Sequence, residues 1–239
     1  MRKVILFFIR KIKGWFLKLH IHFVLEPFSN ILLNLVYVSK LSKWTKKTKM
    51  PEFNDFYSKK RNYQKRYELY KYVINNEELE DIVYLEFGVA NGDSFKWWVD
   101  NIKNENSVFV GFDTFTGLPE NWSSLYKKGA MSFPIPDIKD DRCEFKVGLF
   151  QDTLPKFLNE FNSKMRKVIH MDADIYSATL FVLTSLYPIL EKGDIIFFDE
   201  FNVPTHEFRA FTNFAESYYL KYEVIGAVNN YYQIAIKIL

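Results

Sequence analysis

Two short apolar runs in the second half of the chain each end in carboxylates. In KVIHMDADIYSATLFVLTSLYPILEKGDIIFFDEF (residues 167–201) the first run stops at Asp172 and Asp174, the second at Asp199 and Glu200. Like charges held close together are costly unless something positive lies between them. If the two runs are neighbouring strands, Asp172, Asp199 and Glu200 converge on one edge of a sheet, with no thiolate and no obvious histidine among them. Hard oxygen donors of that kind favour Mg2+, Ca2+ or Mn2+ over zinc. The competing reading is that Asp172 and Asp199 cap the following helices or form salt bridges. Asp174 has three readings: a supporting acid, a proton acceptor, or the N-cap of a helix over 176–190, capping being the commonest single role. His206 opens the helix after the acidic pair and is placed to face a substrate. His170 lies inside a strand and reads as core.

A second motif is the glycine turn LEFGVANGDS (85–94) between a strand and a helix. Gly88 and Gly92 allow close approach of a ligand to the backbone, and the helix that follows offers free N–H groups. It is not G-x-G-x-x-G, which counts against a dinucleotide. The next strand ends at Asp113, where an acid would bind a ribose diol in a nucleotide-binding sheet. An ordinary turn with a capping acid is the alternative.

The elements that must position these groups follow an alternating pattern. Strands are expected at 81–88, 107–113, 144–148, 167–172 and 194–199, and helices at 67–75, 92–103, 152–162 (Asp152 as N-cap), 176–190 and 206–220. The chain ends in two strands joined at Asn229-Asn230, a pair favoured in tight hairpins. The expected fold is therefore α/β: a Rossmann-like, doubly wound, mostly parallel seven-stranded sheet with a C-terminal antiparallel hairpin. Residues 114–142 form a long loop with Phe115, Trp122 and Phe133, read as a lid whose aromatics either stack on a ligand or pack the lid itself.

At 239 residues, 48% hydrophobic and 18% aromatic, the chain has room for one sizeable domain and an appendage. Cys143 is the single cysteine, which fits a reducing, cytoplasmic setting, with the inner face of a membrane as an extension of it. The net charge of +3 hides an asymmetry. Residues 1–49 carry eleven Lys/Arg and one acid, Glu26; the rest carries more acids than bases. Residues 1–50 thus read as a basic, apolar-rich helical segment, 51–80 as linker and lead-in helix (the polar stretch 39–54 being the start of the link), and 81–239 as the main domain. The basic segment has two main readings. One is an amphipathic anchor over residues 1–45 on an anionic membrane face, with Trp15, Phe16 and Phe23 at the interface; the other is packing on the body or a homo-oligomer face. A spanning helix is weakened by Glu26, Pro27, Asn30 and Asn34. Nucleic-acid binding is not expected, because the body is acidic and the bases are confined to one apolar-rich stretch.

YLEFGVANGDS, GFDTFTGLPE, GLFQDTLP, MDADIYSAT and GDIIFFDEF, in this order and spacing, resemble the macrocin O-methyltransferase family. A weaker similarity to catechol O-methyltransferase shows in GLFQD. The resemblance implies a class I methyltransferase fold and a sugar O-methyltransferase dependent on S-adenosylmethionine (SAM) and Mg2+. It further implies that Glu86, Gly88 and the turn Asn91, Gly92, Ser94 hold the methionine part of SAM. Asp113 and Thr114 would bind the ribose, and Phe150 and Gln151 would flank the adenine. Asp172, Asp199 and Glu200 would bind Mg2+, with Asp172 also placed to accept the substrate proton; Asp174 and His206 are catalytic candidates from their positions in the chain alone. The chain departs from the family in DE where DD is usual and DAD where DGD is usual; both changes keep the oxygen donors. The acceptor implied is a small molecule or glycan. A non-catalytic SAM- or nucleotide-binding subunit docking a partner through its N-terminal helices is the second reading, and a metal-dependent hydrolase the third.

Overall fold

A computed structural model describes residues 2–121 and 126–239. Three segments precede the body: α1 (Arg2–Lys18), the short α2 (His22–Leu25) and α3 (Ser29–Lys47). The body contains β1 (Phe53–Asn54), α4 (Lys65–Asn76), β2 (Ile82–Phe87), α5 (Asp93–Asn101), β3 (Val108–Asp113) and β4 (Cys143–Val147). It continues with α6 (Phe150–Glu160), β5 (Arg166–Met171), α7 (Tyr176–Leu186), β6 (Ile195–Phe198), α8 (Glu207–Ser217), β7 (Tyr222–Val228) and β8 (Gln233–Ile238).

The strands form one sheet in the order β1-β7-β8-β6-β5-β2-β3-β4. All pairings are parallel except those of β8, which runs antiparallel to both β6 and β7. The expected mostly parallel sheet with a terminal hairpin is therefore present, enlarged by one strand. That extra strand is β1, two residues long, in the stretch read from sequence as a linker. Its pairing partner lies more than 170 positions away, at Gly226 and Ala227, so nothing local announces it. Residues 39–47 are also not linker but the second half of α3. Trp44 there packs on Phe201, Phe208 and Tyr231, and its indole N–H donates to the Tyr222 hydroxyl at 2.9 Å.

Side chains alternate across each strand, so the sheet divides the core in two. Val83, Leu85 and Phe87 face a layer containing Leu154 of α6, Val182 of α7 and Phe211 of α8. Ile82 and Tyr84 face the opposite layer, with Leu69 and Tyr70 of α4 and Phe95 and Trp98 of α5. Helices thus cover both faces, which is what near-continuous apolar strands such as IVYLEF and IIFF require. Asp152 sits in the first turn of α6 rather than at its N-cap, which is Leu149. Likewise α7 begins after Ile175 with no side-chain cap, so Asp174 is not a helix cap. The expected long helix 176–190 breaks at Leu186 into a 3-10 turn over Tyr187–Ile189, where Pro188 lies.

Candidate active site

The parallel strands end along one edge of the sheet, and a cavity of about 520 Å3 opens there. One part is walled by Gly88 and Ala90 of the glycine turn, Asp113 and Thr114 after β3, and Phe150 and Gln151 at the start of α6. The other part is walled by Asp172, Asp174, Asp199, Glu200 and Tyr63. The volume lies in the range of small-molecule sites, as does the position at the carboxyl ends of strands.

The turn after β2 is built tightly. Gly88 has φ +95°, and a Cβ there would lie 1.9 Å from the backbone oxygen of Asp172. Only glycine lets β2 and β5 stay in register up to the site. Asp113 holds the turn from the other side. Its Oδ2 accepts the backbone N–H groups of Val89 and Ala90 at 2.8 and 2.9 Å, and its Oδ1 accepts that of Phe115 at 2.8 Å. A cofactor diol would therefore meet a carboxylate already engaged with three backbone donors. Thr114 is half-buried, and its hydroxyl donates to the Gly117 carbonyl at 3.0 Å.

Five of the site residues singled out from sequence do not line the cavity. Glu86 is fully buried behind the turn, accepting from the Tyr84 hydroxyl at 2.5 Å and the Ser94 hydroxyl at 2.6 Å. It belongs to a closed polar network with His170, whose ring nitrogens lie 3.0 Å from the Tyr84 hydroxyl and 3.1 Å from that of Tyr70. One donor assignment satisfies every bond: Tyr84 donates to Glu86, His170 Nδ1–H to Tyr84, and Tyr70 to His170 Nε2. Ser94 thereby ties the start of α5 to β2. Asn91 is exposed and donates to Asp93, while the space that a Cβ on Gly92 would need is filled by Pro136. His206 stands just before α8 and does not line the cavity; its buried Nδ1 has no hydrogen-bond partner, and burial pushes its pKa down.

The acid end is where electrostatics dominates. Backbone bonds from Asp172 to Phe87 (2.9 Å) and from Asp199 to Met171 (3.0 Å) continue the sheet ladder up to the acids. Asp172 and Asp199 therefore end adjacent strands side by side. A further carboxyl, unremarked in the sequence, is Glu207 at the start of α8, fully buried and accepting the Glu200 backbone N–H at 2.9 Å. Burial, reinforced by Asp199 and Asp174, pushes the Asp172 carboxyl well above the ordinary carboxylate range. Burial and the neighbouring Glu200 raise Asp174 to about 7, and burial also raises Glu200 and Glu207. Asp174 adopts φ +59°, turning the chain between β5 and α7.

Partial compensation comes from a segment not picked out from sequence. The Tyr63 hydroxyl donates to Asp199 Oδ2 and accepts from Arg66, whose guanidinium lies 3.8 Å from Asp199 Oδ1. Tyr232 donates to Glu200, and Arg61 stacks over the Tyr232 ring at 3.6 Å. Even so, Asp199 Oδ1, Glu200 Oε2 and Glu207 Oε1 are buried without a hydrogen-bond donor. Unsatisfied acid oxygens match the donor chemistry of a hard divalent cation. Among the described residues, no three His, Cys, Asp or Glu are grouped closely enough to hold a metal as they stand. Tyr63 and Tyr232 occupy the second oxygen of Asp199 and of Glu200.

From the loop read as a lid, Gly117, Leu118, Pro119, Glu120 and Met131 line the cavity; among the described residues none of its aromatics does. Ser177 of α7 donates to Glu120 at 2.5 Å, strapping the lid to the body. Phe115 is buried against Phe145, Phe133 does not line the cavity, and Trp122 lies outside the described residues.

The fold is that of the class I methyltransferases. It superimposes on the calicheamicin methyltransferase CalS11 with a TM-score of 0.58, at 19% identity, covering 85% of this chain and 91% of that one. The O-methyltransferase NovP matches with a TM-score of 0.54, also at 19% identity, over 74% of this chain and 78% of that one. Residues 125–231 match the family model for macrocin O-methyltransferase, so the resemblance read from the motifs holds over that stretch. A mycinamicin III 3''-O-methyltransferase of Micromonospora griseorubida is 37% identical over 75 residues, 29% of this chain. The chain spans 28% of the length of that relative.

Proposed function

We propose that this chain is a SAM-dependent O-methyltransferase that acts, with Mg2+, on a sugar hydroxyl of a glycoside or of a surface or lipid-linked glycan. The observation that carries the reading is a single cavity with two chemically different ends, a glycine turn with Asp113 and Phe150 at one and a cluster of raised carboxyls at the other. The macrocin O-methyltransferase match and the curated relative's activity support O-methyl transfer to a glycoside.

SAM supplies an electrophilic methyl group, and a divalent cation supplies positive charge that keeps acids ionised and acidifies a nearby hydroxyl. The protein's own contribution is position and proton transfer. Gly88 and Ala90 offer a wall without bulk, Phe150 an apolar face, and Thr114 and Gln151 polar edges for a nucleoside. Asp172, Asp199 and Glu200 are the residues that would hold the cation. Asp174, on the cavity wall beside the acids that would hold the cation, takes the proton of the acceptor hydroxyl. Leu118, Pro119 and Met131 exclude water from the reacting oxygen.

Calorimetric titration of SAM and Mg2+ into the wild type, Asp172→Asn and Asp199→Asn tests the binding half of this reading. The expected result is SAM binding in all three and loss of Mg2+ binding in the variants. Transfer of labelled methyl from SAM to a panel of nucleotide sugars and glycosides then tests the chemistry. Absence of SAM binding to the wild type sinks the proposal.

A further inference from the structure

The N-terminal helices carry a surface that the cavity does not explain. α1 has no buried residue, and most large apolar side chains from Val4 to Val38 are exposed, including Phe7, Phe8, Trp15, Phe23 and Phe28. A patch of this size is not left open on a protein surface without a partner. The segment is not simply unpacked, because α3 changes character along its length. Ile31, Leu32 and Leu35 are exposed, whereas Tyr37 is buried and Leu33, Leu41 and Trp44 pack on the core. The exposed helices are thus fixed to the body through α3, beside Phe201, which directly follows Glu200.

Plotted at about 100° per residue, α1 separates its side chains sharply. Val4, Ile5, Phe8, Ile9, Ile12, Trp15 and Phe16 fall within an arc of about 140° that contains no charge. Arg2 and Lys13 border that arc on one side, Lys11 and Lys18 on the other, and Lys3 and Arg10 lie opposite. Long cationic side chains flanking an apolar arc can reach headgroups while the rings enter the acyl boundary. No acid occurs in α1, and Glu26 is the one acid in residues 1–49. Among the described residues, no single helix is long and apolar enough to cross a membrane. The bent pair Arg2–Lys18 and His22–Lys47, which passes that test only jointly, turns by 89° at its break.

We propose that α1 lies in the plane of an anionic phospholipid bilayer, with the arc centred on Phe8 and Ile12 buried in the interface and the flanking cations on the headgroups. This surface holds the body at the membrane through α3. The inference is independent of the methyltransferase reading, and its test uses no cofactor or acceptor.

The experiment is co-sedimentation of the full chain with vesicles of phosphatidylglycerol and phosphatidylcholine, across a salt series. Binding is expected to phosphatidylglycerol-containing vesicles and to fall steeply with salt. Lys11→Gln, Lys13→Gln and Lys18→Gln combined should weaken it about 100-fold, at about fivefold for each cation near the surface. Phe8→Ser with Ile12→Ser should weaken it at any salt. All five positions are exposed, so circular dichroism of each variant should match the wild type. Equal binding to both vesicle types that survives high salt and alkaline carbonate means an inserted hairpin and overturns the proposal. So does a lipid-indifferent protein that dimerises in sedimentation velocity and becomes monomeric on Phe8→Ser with Ile12→Ser, which assigns the face to a second copy.

Discussion

Asp113→Asn separates holding the glycine turn from contacting a cofactor. The carboxylate accepts three backbone N–H groups, from Val89, Ala90 and Phe115. An amide in its place has one acceptor oxygen. If that oxygen faces Val89 and Ala90, the NH2 group confronts the Phe115 donor and one bond is lost outright. A charge-assisted bond contributes about 1.5–3 kcal/mol, and the two survivors fall toward the neutral value of about 1 kcal/mol. The sum is about 2.5–7 kcal/mol, and partial solvent access at Asp113 brings it down to about 2 kcal/mol. For a chain of this size about 2 kcal/mol lowers the melting temperature by about 4–8 °C. Exchange of the Val89, Ala90 and Phe115 amides, followed by NMR without cofactor, should accelerate about thirtyfold if local opening takes up the whole loss. A melting temperature within a degree of wild type, with those three amides still protected, would refute the assignment of Asp113 as the fastening of this turn.

Three other outcomes are expected. Gly88→Ala should destabilise the fold by more than about 2 kcal/mol in chemical denaturation, because the added methyl meets the Asp172 carbonyl at a positive φ. The Arg142 guanidinium, hydrogen-bonded to Asp140, holds that carboxyl down at about 2, so its stabilisation is complete above the unfolded value near 4 and is lost as pH falls through 2; the stability advantage of wild type over Asp140→Asn in urea titrations should shrink between pH 5 and pH 2. Tyr63→Phe frees an oxygen of Asp199, so calorimetry should show Mg2+ bound at least as tightly as by wild type.

The sheet was legible because strands buried on both faces read as unbroken apolar runs, and the gaps from IVYLEF to VFVGF and from KVIHM to IIFF each left room for one helix. The acids at the ends of β5 and β6 were legible for the same reason: a charge that stops such a run marks the strand's end. What escaped was whatever depends on distant partners. Tyr63 reaches Asp199 across 136 residues, and β1 finds β7 without any periodicity of its own. Glu86 misled because its position at the end of β2 said nothing of which way the side chain turns; Ser94 and Tyr84 turn it inward.

The hairpin turn at Asn229 and Asn230 has a consequence for the order in which the molecule is made. Asn229 exchanges hydrogen bonds with the backbone of Asn62, and Asn230 with that of Ser58, across 167 and 172 positions. Both asparagines have positive φ, which aims their amides at this loop as strand-like partners. During synthesis, residues 58–62 leave the ribosome long before the turn that clasps them. The loop that leads into Tyr63 and Arg66 is thus clasped only after that turn has emerged. The acid end of the cavity therefore gains this support only after the turn at Asn229 and Asn230 has been made.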